Sequence, residues 1–184
     1  MAVPGRRNGL LEDDEDDENP LFEENGLDMD LEADTPPHLR DLAAAAQRGD
    51  LNALRLALDN INGSIDEPVE DGDTALHLTC LYGYLPCVQV GCPSRFLEIV
   101  QLLLDRASNS GCLKRMLDSV DAEGDTPLHH AARGEHAEVI QLLLANGASP
   151  TKTNTYGKIP QELAEPETEA WRVLEAAASA QTTQ

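Results

Sequence analysis

The segment Thr126-Pro127-Leu128-His129-His130-Ala131-Ala132 returns in altered form as Thr74-Ala75-Leu76-His77-Leu78-Thr79-Cys80. Each copy leads into a second apolar run, of which Glu138-Val139-Ile140-Gln141-Leu142-Leu143-Leu144-Ala145-Asn146-Gly147-Ala148-Ser149 is the fullest. Self-similarity of this kind points to a chain built from units, each one too small to bury its own apolar face and so dependent on its neighbours. Local chemistry gives each unit a helical start. Thr accepts a backbone N–H at a helix N-terminus, and Pro127 stands at the first helical position, where its missing donor costs nothing.

The two segments and the run at 138–149 resemble the signature of the ankyrin repeat. The resemblance implies an all-α fold, a solenoid of stacked helical hairpins joined by short turns. It also implies that Thr74 bonds His77 and that Thr126 bonds His129, tying turn to helix, so that Thr74, His77, Thr126, Pro127 and His129 are structural. Ankyrin units recur about every 33 residues, yet Thr126 lies 52 positions after Thr74. Tyr84 and Phe96 are 12 positions apart where a repeat would give about 33, so about 21 residues are missing there. Phe96 and His136 are 40 apart, an excess of about seven that falls in 108–116.

Charge and composition bound the partners. The net charge is -21 and aromatic residues are only 3% of the chain, so the core must be filled by Leu, Ala, Val and Ile. In residues 1–36, 13 acids face two arginines, including the unbroken acidic run from Glu12 to Glu18, which reads as a disordered tail. Nucleic acid and anionic membranes are poor partners for such a chain. It has neither an apolar run of membrane-spanning length nor a secretory h-region, which places the protein in the cytoplasm or nucleus. Cys80, Cys87, Cys92 and Cys112 fit neither a disulfide framework nor a zinc-finger spacing.

The expected organisation is a disordered acidic tail at 1–36, a repeat domain at 37–178 and a disordered end at 179–184. Within the domain, Leu39, Leu42, Ala43 and Ala46, then Leu51, Leu54, Leu56 and Leu58, have the helical spacing of a capping hairpin over 38–60. A signature unit follows at 74–104, with an irregular segment at 84–95. There Gly91 and Pro93 break a first outer-helix sequence, while Phe96 to Leu104 forms an uninterrupted one. Residues 97–104 are therefore expected on the inner helix at 75–82, with 84–95 displaced as a loop. A second signature unit spans 124–147, in which Gly134-Glu135 shifts the usual turn, and a C-terminal cap at 157–178 has Trp171 as a packing anchor.

No phosphate loop, nucleophile elbow or His-Glu-x-x-His pattern is present, so no catalytic residue, metal or cofactor is expected. His129 and His130 with His136 carry no further ligand pattern. What the resemblance implies instead is a groove. By family position its turn tips are Glu70, Asp71, Asp73, Glu123, Asp125, Asn154 and Tyr156, and its inner-helix positions are Leu78, Leu81, Tyr82, His130 and Arg133. The expected function is a monomeric, non-enzymatic module that recognises a basic protein partner. Two other readings stand beside it: a truncated or splice-variant isoform with an impaired groove, and an escort or chaperone of a basic client such as a ribosomal protein. The chain looks most like short soluble plant ankyrin-repeat proteins with an acidic leader.

Overall fold

The computed structural model describes residues 38–61, 63–69, 71–82 and 94–181, with the backbone alone at 82, 94 and 95. The acidic tail at 1–36 and most of the irregular segment at 84–95 lie outside the described residues. Eight α-helices and one 3-10 helix are present among those described: α1 (Arg40–Arg48), α2 (Leu51–Asn60), α3 (Ala75–Tyr82), α4 (Ser94–Asn109), α5 (Leu113–Asp118), α6 (Pro127–Arg133), α7 (Ala137–Ala145), the 3-10 helix Pro160–Leu163 and α8 (Glu169–Gln181). No described helix is long and apolar enough to cross a membrane.

The first hairpin shows how the chain turns. Gly49 closes α1 in the left-handed conformation, φ 66°, with its N–H on the carbonyls of Ala45 and Ala46. Asp50 then opens α2, its carboxylate accepting from Asn52 N at 3.0 Å and Ala53 N at 3.1 Å. In the later hairpin the left-handed residue is Glu135, φ 59°, while Gly134 stays right-handed at φ -83°. The turn therefore keeps its place relative to α7 and forces a side-chain-bearing residue into a conformation that favours glycine.

Stacking proceeds in two rows. α1, α3, α6 and the 3-10 helix pack in sequence as an inner row, and α2, α4, α7 and α8 as an outer row. α4 rests on both α2 and α3, with Ile99, Val100, Leu103, Leu104 and Ala107 at most 1% exposed. It begins three residues earlier and ends five later than the expected 97–104. The extra residues near 108–116 form α5, which buries Met116 and Leu117 against the stack. Leu, Ala, Ile and Val supply nearly all of the core, and Trp171 packs against it half-buried. α8 runs through Gln181, so the expected disordered end is corrected at 179–181, which continue the helix.

Three successive turns share one hydrogen-bond pattern. Val69 N donates to Asp73 O at 2.6 Å, Asp121 N to Asp125 O at 3.1 Å, and Asn154 N to Lys158 O at 3.0 Å. The turns are also bonded tip to tip, Ala122 N to Asp71 O and Thr155 N to Glu123 O, both at 3.0 Å. Gly124, φ 78°, is needed twice over, because a Cβ there would also lie 2.9 Å from Thr155 N. Gly157, φ 72°, occupies the same place in the last turn, where a Cβ would meet nothing within 4 Å.

Two outcomes follow, both read from urea unfolding of the full chain. Gly124→Ala will destabilise by clearly more than Gly157→Ala, for which the left-handed backbone alone costs about 1–2 kcal/mol. Leu103→Ala, at 0% exposure, will cost about 2–5 kcal/mol, whereas Leu56→Ala, at 65% exposure, will change stability by no more than about 0.5 kcal/mol.

Candidate interaction surface

The turns that carry the tips are fixed by two imidazoles. Thr74 N donates to His77 Nδ1 at 3.1 Å, and the Thr74 hydroxyl lies 3.0 Å from the same nitrogen. Because Nδ1 accepts, the ring proton is on Nε2, which donates to Asp125 O across the unit boundary at 3.2 Å. The next unit repeats the arrangement. Thr126 N donates to His129 Nδ1 at 3.1 Å, and His129 Nε2 reaches Lys158 O at 3.2 Å. Burial disfavours the imidazolium at both sites, lowering His77 to about 4, with the nearby His130 adding to the effect, and holding His129 below the ordinary histidine value.

Above these rings lies a polar network. The buried Asp125 carboxylate receives Asn154 Nδ2 at 2.7 Å and Arg133, and its backbone N–H donates to Asp121 Oδ1 at 2.8 Å. His130 Nε2 meets Asp121 Oδ2 at 2.7 Å and stands 3.8 Å from Asp73 Oδ1. The His77 and His130 rings meet edge to face, 5.6 Å between centroids. Burial, together with the charges of Asp121, Glu123 and Asp71, raises Asp73 to about 6 against the opposing pull of His130. At Asp121 burial works in the same direction, but the hydrogen bonds from His130 and Asp125 N prevail and hold it low.

The residues expected at the surface divide sharply. Asp71, Glu123 and Arg133 are exposed, Tyr156 is 73% exposed, and Asp73 and Leu81 are partly covered. Leu78, Asp125, His130 and Asn154 are corrected: at 3%, 0%, 4% and 8% exposure they are buried. Leu78 is covered within the stack, Asp125 is enclosed by Asn154 and Arg133, and His130 is turned inward onto Asp121. Glu70 and the side chain of Tyr82 lie outside the described residues. Asp121 was not among the expected residues, although it precedes Asn154 by 33 positions and accepts from the N–H four residues on, as Asn154 does from Lys158 N. A self-comparison at that period finds it.

His77→Ala will cost about 2–4 kcal/mol, because it strands the N–H of Thr74 and the carbonyl of Asp125 in the interior. The pH dependence has two opposing parts. With a folded value of about 4 against 6.5 unfolded, His77 contributes stability that is fully present above 6.5 and lost as pH falls through 4, worth about 3 kcal/mol. Asp73, about 6 folded against 3.8 unfolded, contributes stability present below 3.8 and lost as pH rises through 6. Asp73→Asn removes the second part, so its urea midpoint will climb more steeply between pH 4 and 6.5 than that of the parent protein.

Comparison with known proteins agrees with this geometry. Residues 91–158 match the family model for ankyrin repeats (three copies). The chain is 31% identical over 137 residues to the Transient receptor potential cation channel subfamily A member 1 homolog of Caenorhabditis elegans, covering 74% of this chain and 9% of that protein. It is 32% identical over 132 residues to human Ankyrin repeat and SOCS box protein 11, covering 71% and 34%. A shorter match, 44% over 69 residues, links it to human Diacylglycerol kinase iota, with 37% and 6% covered. The chain thus spans about a third or less of the length of these relatives. Its helical hairpins are a stack of ankyrin repeats, generally non-catalytic modules that bind other proteins.

Proposed function

We propose that this protein binds a basic protein segment along the row of turn tips, acting as a monomer. The carrying observation is that Asp71 and Glu123 are exposed at equivalent places on successive tips, and that the tips are held side by side by the bond from Ala122 N to Asp71 O at 3.0 Å. Tyr156 continues the row one unit further and offers a large exposed ring. Such a row is preorganised, so little ordering is lost on binding, and its charge raises association rate and specificity. Arg133 is exposed and holds Asp125.

The unbroken inner row of α1, α3, α6 and the 3-10 helix favours this reading over a stack with an impaired groove. Escort of a basic client is a sharper form of the same reading. Buried, unpaired thiols at Cys80 and Cys112 are in keeping with a cytoplasmic or nuclear setting.

Fluorescence anisotropy with Lys- and Arg-rich peptides, at low and near-physiological salt, tests the proposal. The double variant Asp71→Asn, Glu123→Gln will weaken capture by the full chain and flatten its salt dependence, with a cooperative urea transition retained. Tyr156→Ala will cost about 1–2 kcal/mol of binding if the ring is an anchor. Capture that is indifferent to salt and to the double variant would sink the reading.

A further inference from the structure

Successive units place an aspartate immediately before the Thr of the signature, Asp73 in one and Asp125 in the next, and the two are served very differently. Asp125 is buried and fully met: Asn154 Nδ2 donates at 2.7 Å and Arg133 provides the countercharge. At the position where Asn154 serves Asp125, Asp73 faces Asp121, and where Arg133 would stand, the chain has Leu81. An amide donor has become a second carboxylate and the guanidinium has become an apolar side chain. The result is a buried Asp73 Oδ1 with no hydrogen-bond partner, 3.8 Å from His130 Nε2. Among the described residues, the ion pairs of both Asp73 and Asp121 are made with His130.

We propose that Asp73, Asp121 and His130 form a binding site for a divalent transition metal ion of the Zn²⁺ class, which occupies the place that Arg133 and Asn154 fill in the following unit. One ligand atom from each of the three side chains lies within 4.8 Å of the others. Donors held at about 2.0–2.2 Å from a tetrahedral ion stand about 3.3–3.6 Å apart, so loading opens the 2.7 Å contact between His130 and Asp121 and closes the 3.8 Å gap between His130 and Asp73. Imidazole with two carboxylates suits zinc and its neighbours better than calcium or magnesium, which prefer all-oxygen sets.

Electrostatics argue in the same direction. The pair of carboxylates is reinforced by Asp71 and Glu123, both of which raise Asp73, while only His130 opposes them. A dication neutralises this excess where a proton does so only in part. The Asp73 side chain is 19% exposed although its Oδ1 is buried, whereas the side chains of Asp121 and His130 are 4% and 5% exposed. Loading requires Nε2 of His130 to give up its proton, so that the ring proton sits on Nδ1, which is buried without a partner. The site is for this reason weaker than one in which a second carboxylate orients the ligating ring.

The test uses the full chain, Zn²⁺ alone as the probe and the ¹⁵N resonances of the His130 ring as the reporter, which separates this site from the cysteines and the acidic tail. Zn²⁺ is expected to shift the His130 Nε2 signal in a saturable one-to-one titration. Asp73→Asn should weaken that titration by about 10–100-fold or more, with the amide spectrum of the fold preserved, and Asp121→Asn should do the same. His130 signals that stay in place through the titration would overturn the proposal, as would equal affinity at His130 in the parent and Asp73→Asn proteins. If either variant fails to fold, the ring titration of the parent protein decides alone.

Discussion

The rings of His77 and His129 are the constraint on which the remainder depends. Each accepts at Nδ1 from its own turn and donates from Nε2 to a carbonyl in the next unit, so one side chain fixes both the shape of a unit and its register against its neighbour. A neutral ring with one defined tautomer is required, and burial enforces it. The apolar faces supply the bulk of the stabilisation, but they do not set register, since Leu and Ala surfaces pack in many offsets. Directional bonds select one offset among them. The tips bonded at 3.0 Å from Ala122 to Asp71 and from Thr155 to Glu123 are then placed by consequence.

Placement of the tips connects scaffold to function. Polar groups in this fold follow two fates. Those one layer beneath the tips are consumed: Asp125 by Asn154 and Arg133, His130 by Asp121. Those at the outermost position, Asp71, Glu123 and Tyr156, lie exposed and differ in charge and shape from tip to tip. The unit containing Asp73 breaks the pattern, because its counterparts of Arg133 and Asn154 are Leu81 and Asp121. A scaffold position there carries a buried carboxylate oxygen without a hydrogen-bond partner, and it borders the same acidic row.

Much of this was legible in the sequence, and unevenly so. The Thr-x-x-His segments announced both the hairpins and the imidazole roles, because the chemistry is local in chain and needs no knowledge of packing. α4 was legible as well, since Ile99, Val100, Leu103 and Leu104 form an uninterrupted apolar face. Exposure was not. Leu78, Asp125 and His130 stand at positions that usually face outward, and their burial depends on partners distant in sequence, such as Asn154, or of unremarkable type, such as Asp121. α5 escaped for a related reason: six residues at 113–118 are too short for a periodic signal, and burial of Met116 and Leu117 makes the helix. The left-handed Glu135 shows tertiary register overriding a glycine that stood one residue away.

The most direct measurement is the ¹⁵N chemical shift of both ring nitrogens of His77 and His129 across pH in the folded protein. Neutral rings protonated at Nε2 are expected at pH 7, with His77 holding that state until pH falls to about 4. A ring protonated at Nδ1, or a His77 that titrates at its ordinary value near 6.5, would contradict the seam between units and with it the placement of the tips.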